Sequence, residues 1–320
     1  MATKSRLAKG LAASALALAA AGLAIELGVR ALGIAPPAPN EDATGHALIN
    51  YLETERNSEG FHDVEWTQVK PPGTQRILFI GDSFASGVNV PLANLMHTRV
   101  EAKLNERKDA QPIQLYNLSR AGWDTTREVD ELRTQGLDPD SVVIVFFIND
   151  ATQLDTNPLL VRKINARLNE REGTLNRISK AWDYVDWRLA RGAVQDEMIT
   201  SYLESDFGSD EQAALWERCG DSLAEAKALS LEHDFKLAVV IFPVLIQLDG
   251  EHALSQVYDL VEDKCAELDV PTLNLLPAFR GANPESLWVS PTNAHPNASA
   301  YARTIQPITD FLVESGLAGE

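Results

Sequence analysis

The chain has 320 residues, 45% of them hydrophobic, and a formal net charge of −18 at pH 7. That length builds one large or two small domains, and that apolar share supplies a core and excludes disorder over most of the chain. The acidic excess argues against wrapping nucleic acid or docking through charge on an anionic membrane surface; solubility is its plainer meaning.

Taken in order, the chain opens with Lys4, Arg6 and Lys9, followed by an Ala- and Leu-rich stretch from Gly10 to Ile25. The apolar pattern resumes after Glu26 and runs to Ile34, before Pro36-Pro37 stops it. Two readings of residues 1–34 are open. A secretory signal peptide fits, because the Ala-rich part offers small-residue cleavage sites. A retained transmembrane anchor also fits, and the Glu26/Arg30 pair at i,i+4 spacing favours one continuous helix long enough to span a bilayer. Basic residues only at the front put the bulk of the chain outside the cytoplasm in both cases. The expected location is periplasmic or cell-surface, anchored to the inner membrane through the N-terminal helix, or secreted if the N-terminus is cleaved.

Residues 35–75 are rich in Pro, Asn, Glu and Gly and read as a linker and weakly structured lead-in, part of which packs through Tyr51, Phe61 and Trp66. Arg76–Gly87, RILFIGDSFASG, is a short apolar run that breaks at Gly81, which predicts a buried strand with Ser83 at its exit. Leu92, Leu95, Met96, Val100 and Leu104 recur at helical spacing. Ile113–Leu118 predicts a second strand, Thr126–Gln135 a helix stopped by Gly136, and Val142–Ile148 a strand covered on both faces. Residues 155–209 interrupt the alternation with a helix-rich insertion. It holds Trp182, Tyr184 and Trp187 and many basic residues, among them Arg177, Lys180 and Arg188. A cap over a site at the strand ends and a solvated helical decoration are both open for it. The alternation then resumes with a stripe at Leu215–Leu229, a strand at Leu237–Phe242, a stripe at Leu254–Leu268 and a strand at Pro271–Leu276. A last helix begins near Asn297, which Pro307 is expected to kink or split. Strands alternating with helices predict a parallel, doubly wound α/β sheet over residues 76–316.

Two cysteines occur, Cys219 and Cys265, both on apolar stripes, so buried thiols are expected; an oxidising compartment also permits a disulfide. No Cys or His spacing suits a metal, and no P-loop or dinucleotide fingerprint occurs. His46, His62, His97, His233 and His252 lack a motif, and packing roles are expected of them.

Four short pieces fall at strand ends or just before the last helix: Gly81-Asp82-Ser83, Gly122, Asn149-Asp150 and His295-Pro296-Asn297. In an open parallel sheet such positions converge on one edge. Acyl transfer by a hydroxyl needs a nucleophile, a base and donors for the oxyanion. Ser83 and His295 offer the first two. The backbone N–H groups of Ser83 and Gly122 and the Asn149 amide offer the third.

On these residues the chain resembles the SGNH (GDSL-type) hydrolases, over roughly residues 75–315. GDSFASG matches the first block, Asn117–Gly122 the second and His295-Pro296-Asn297 the last. The third block has Phe147 where the family often has Gly. The resemblance implies a flavodoxin-like three-layer α/β/α sandwich with a central parallel sheet, no required metal or cofactor, Ser83 as nucleophile, His295 as base, and Ser83, Gly122 and Asn149 as the oxyanion hole. The family places an Asp two or three residues before the His; here those positions are Asn293 and Thr292. An amide can orient an imidazole but brings no charge. Three arrangements are open: a Ser–His dyad helped by Asn293 or a backbone carbonyl, a carboxylate recruited from elsewhere, or a weakened member. The expected function is an extracytoplasmic serine esterase acting on an ester or O-acylated substrate, such as envelope carbohydrate or lipid. An O-acyltransferase using the same intermediate is an alternative. So is a non-catalytic domain that binds an acylated glycan or an envelope partner protein.

Overall fold

The computed structural model describes residues 2–36, 51, 55–107, 110–151, 173–204, 210–290 and 293–319. The described residues of 1–38 and 161–197 form one compact unit; those of 39–160 and 198–320 form the other.

In the first unit, helix α1 spans Ala2–Ala31. Its stretch Lys9–Ala31 is long and apolar enough to cross a membrane, and none of it is buried. The other described part of this unit is helical: α4 (Thr174–Ile178), then α5, which begins at Lys180 and runs to Glu204.

The second unit alternates strands and helices: β1 (Gln75–Gly81), α2 (Met96–Leu104), β2 (Ile113–Asn117), α3 (Thr125–Thr134) and β3 (Ser141–Phe146). After the insertion come α6 (Asp210–Glu232), β4 (Lys236–Ile241), α7 (Ser255–Glu267), β5 (Thr272–Asn274), β6 (Trp288–Ser290), β7 (Asn293–Pro296) and α8 (Ala298–Glu314). Strands β1 to β5 form one sheet in the order β2-β1-β3-β4-β5, all pairs parallel. This is the flavodoxin-like order, whose switch point lies between β1 and β3. The continuous apolar runs Ile77–Ile80 and Val142–Phe146 are buried throughout because helices cover both faces. α2 packs with α8 in one layer. α3 packs with α6 in the other, where Gly220 of α6 also lies against the Lys264 side chain of α7.

One sequence expectation changes. Pro307 does not split the last helix, which runs unbroken from Ala298 to Glu314. Residues 55–74 of the lead-in hold no helix or strand, and polar contacts fix them. Asn57, Phe61, His62 and Asp63 are buried. Asp63 accepts hydrogen bonds from the Asn117 backbone N–H and the Trp66 indole, each at 2.8 Å, and meets His97 Nε2 at 3.1 Å. Arg76, fully buried at the start of β1, donates to the Thr67 and Gln68 carbonyls. Cys219 and Cys265 are free and buried, as their stripes imply.

Candidate active site

β1 ends at Gly81, where a Cβ would lie 2.8 Å from the Val145 carbonyl and 2.9 Å from the Ala85 Cβ. Only glycine lets the chain turn this tightly against β3. Asp82 then caps a one-turn helix, Ser83–Ser86: its Oδ1 accepts from the Phe84 N–H at 2.7 Å. Ser83 Oγ donates to Asp82 Oδ2 at 3.2 Å, so Asp82 braces the turn. Three other side chains grip the same turn. Tyr301 Oη donates to the Phe84 carbonyl at 2.9 Å, Asn117 Nδ2 donates to that of Ala85 at 3.1 Å, and His62 Nδ1 meets that of Ser86 at 3.1 Å. With its neighbours locked in this way, the Ser83 turn keeps little conformational freedom.

Gly122 follows β2 in a loop that Leu118 and Arg120 tie to β1, their N–H groups donating to the carbonyls of Phe79 and Gly81. Its φ of +80° is what calls for glycine. No atom lies within 4 Å of where a Cβ would stand, so the space beside it is open. Asn149 sits in the tight turn Ile148–Ala151 after β3. Asp150 closes that turn, its Oδ2 accepting from the Phe147 N–H at 2.9 Å. Phe147, the departure from the family pattern, stacks on Phe84 with ring centroids 3.5 Å apart and planes within 15°. Ser83, Gly122 and Asn149 thus follow three adjacent strands at one sheet edge.

His295 lies on β7, half of a two-stranded antiparallel ribbon with β6. β7 packs against the Ser83–Ser86 turn, and the His295 ring lies 5.3 Å from that of Phe84. Asn293 Oδ1 meets His295 Nδ1 at 2.5 Å and accepts from the His295 backbone N–H at 3.2 Å. The backbone donor identifies that atom as the amide oxygen. An imidazole proton on Nδ1 fits the contact, with Nε2 then the unprotonated ring nitrogen. Thr292, the other expected orienter, lies outside the described residues. Asn297 is a scaffold residue: its Oδ1 caps α8 while its amide donates to the Ser286 and Trp288 carbonyls.

A group of buried acids stands behind these loops. Glu128 on α3 is fully buried, and among the described residues neither carboxyl oxygen has a hydrogen-bond partner. Burial pushes its pKa well above the ordinary glutamate range, and the Asp82 and Asp124 charges add to the shift. Asp150 is pushed the same way by burial, then by Glu128 and Asp82, against the pull of the Phe147 N–H. Burial that favours the protonated form of both acids lessens the negative field behind these loops. Cys219 faces the same group; burial raises its thiol pKa, which makes it a poor rival nucleophile. A sequence signal for Glu128 existed, since it shares a helical face with Thr125, Val129 and Leu132, all buried.

Solved structures similar to the chain include TesA, at 13% identity and a TM-score of 0.46, covering 74% of this chain and 98% of that one. The psychrotrophic esterase EstA from Pseudoalteromonas sp. is 14% identical with a TM-score of 0.45, covering 75% of this chain and 97% of its own. A catalytic variant of Axe2, an acetylxylan esterase from Geobacillus stearothermophilus, is 14% identical with a TM-score of 0.48, covering 77% and 96%. Likeness at this level carries no functional weight. Comparison with curated proteins returns no match. The match to the GDSL-like Lipase/Acylhydrolase family spans residues 79–303, from within β1 to within α8, and the chain belongs to that family.

Proposed function

We propose that this hydrolase is a serine esterase working outside the cytoplasm through a Ser83–His295 dyad. The observation that carries the reading is the 2.5 Å contact from His295 Nδ1 to Asn293 Oδ1, which orients the ring without an aspartate. Ser83 Oγ attacks the ester carbonyl as its proton passes to His295 Nε2. The N–H groups of Ser83 and Gly122 and the Asn149 amide receive the oxyanion. His295 returns the proton to the departing alcohol, leaving an acyl-enzyme that water cleaves by the same steps in reverse order. The acylated substrate is envelope carbohydrate or lipid, in keeping with the expected compartment. A sugar hydroxyl in place of water would make the same site an O-acyltransferase.

The test is fluorophosphonate labelling of the folded full-length chain beside Ser83→Ala. Labelling that disappears in the variant is the expected result. A folded wild-type chain that takes no label would overturn the activated nucleophile and leave a binding domain.

A further inference from the structure

Helix α1 carries a single acidic residue within its apolar stretch, Glu26, and that carboxylate is committed. α5 starts at Lys180, directly after Ser179. Ser179 Oγ accepts from the Trp182 N–H at 3.0 Å and donates to Glu26 Oε2 at 2.8 Å. Glu26 Oε1 accepts from the Lys180 N–H at 2.9 Å, and Oε2 accepts from that of Ala181 at 3.0 Å. Arg30 completes the junction, with Nε on Glu26 Oε1 at 2.6 Å and Nη2 on the Ile178 carbonyl at 2.9 Å. The opening N–H groups of a helix have no partner inside it and carry its positive dipole end. Here a carboxylate 154 residues earlier satisfies two of them.

This junction bears on both open questions about the N-terminus and the insertion. A leader destined for removal has no structural reason to supply another helix with its cap. A carboxylate on a spanning helix is costly unless paired, and this one is paired with a guanidinium and three hydrogen-bond donors besides. The 23 residues of Lys9–Ala31 measure about 35 Å, enough for a hydrocarbon core of about 30 Å. Glu26 lies about 7.5 Å from the Ala31 end of that span, about one and a half turns from where the helix leaves the bilayer.

The segment fastened there has the composition of that boundary. Leu175 is 55% exposed, Ile178 62%, Trp182 43%, Val185 46% and Leu189 64%. Trp182, Val185 and Leu189 recur at i, i+3 and i+7 on one face of α5. The exposed Arg177, Lys180 and Arg188 are interspersed among the five exposed apolar residues in sequence. Tryptophan at headgroup depth with basic side chains reaching to phosphate is the pattern of an interfacial helix. With Asp183 and Asp186 also present, residues 174–189 carry three basic and two acidic side chains, a slightly basic segment in a chain whose net charge is −18.

We propose that α1 is retained as a membrane anchor and that residues 174–189 lie in the lipid interface beside it. Leu175, Ile178, Trp182, Val185 and Leu189 meet the acyl chains; Arg177, Lys180 and Arg188 meet the headgroups. The test places the full chain in vesicles of phosphatidylethanolamine and phosphatidylglycerol, with a nitroxide on single cysteines introduced at Leu175, Trp182, Val185 or Leu189. Leu231, exposed on α6 of the other unit, is the aqueous control. Dioxygen should relax the four labels several-fold more than a water-soluble nickel chelate does, with the reverse at the control. Nickel dominating at all four sites would overturn the interfacial placement. Glu26→Ala should reduce the oxygen preference at position 182 several-fold; no change would overturn the role of the cap. The intact mass of the membrane-extracted protein should include Glu26, and a mature chain starting beyond it would overturn retention.

Discussion

Asn293 is where the proposed chemistry is most exposed to test. Its amide oxygen suits the Nδ1-protonated His295 tautomer but lends the imidazolium no charge; in serine proteases an Asp-to-Asn change in that role, which sets the wrong tautomer, costs about 10⁴ in kcat. Asn293→Asp is therefore expected to raise kcat on an ester substrate by about tenfold or more with little change in KM. Asn293→Ala, which frees the ring, should lower it by about 10². Unchanged kcat in both variants would remove Asn293 from the role of orienter. Glu128 offers a second test at this scale. An acid whose pKa rises on folding holds its proton more tightly in the folded chain, so stability falls as pH climbs past the ordinary glutamate value, about 4.3. Asp150 acts in the same direction. Glu128→Gln removes the Glu128 share of that loss. Its Tm should match the wild type near pH 4 and exceed it by a few degrees, as an order of magnitude, at pH 8. A constant difference across that range would mean that Glu128 does not titrate between the two states.

At the scale of elements, the site depends on joints between strands and their following turns. The β6–β7 ribbon and α8 meet at Asn297, whose oxygen accepts from the Ser299 and Ala300 N–H groups at 2.9 and 3.0 Å. The same side chain holds the Ser286 and Trp288 carbonyls, so one residue fastens the strand bearing His295 to the helix behind it. Asn297→Ala should cost about 1–2 kcal/mol as a lost cap. A lowered Tm together with a reduced kcat is the expected signature; a lowered Tm with kcat intact would mean that the ribbon holds its place without it. The Phe84–Phe147 stack is another such joint, linking the Ser83 turn to the Asn149 turn. The family-pattern Gly at position 147 would leave that contact unfilled, so Phe147 is a substitution with a packing reason.

At the scale of the whole molecule, the α/β unit begins earlier than its first strand. Asp63, Thr67 and Gln68 supply hydrogen-bond partners to buried groups at β2, at His97 and at Arg76. Each partner lost costs about 1–3 kcal/mol, against a typical total stability of about 5–15 kcal/mol. A chain starting at Tyr51 should therefore give a folded α/β unit, and one starting at Gln75 should not. Circular dichroism melts of the two truncations check this, and a cooperative melt from the shorter one would return the boundary to residue 76.

The amino-acid sequence by itself determined the sheet and the order of its parts. Runs such as Ile77–Ile80 and Val142–Phe146 declare buried strands through residues adjacent in the chain, and the hydrophobic periods between them declare helices. It also pointed to a candidate site, because Ser83, Gly122 and Asn149 sit in short blocks that follow predicted strands and His295 in one just before the last helix. Only the tertiary structure decided which polar groups meet. The carboxylate of Asp63 finds a backbone N–H 54 residues away, Glu26 caps a helix 154 residues on, and Glu128 lies among acids carried by other elements. Apolar burial leaves a periodic trace because it repeats along an element. A single polar contact between distant segments repeats nowhere, and only the folded chain brings its two ends together.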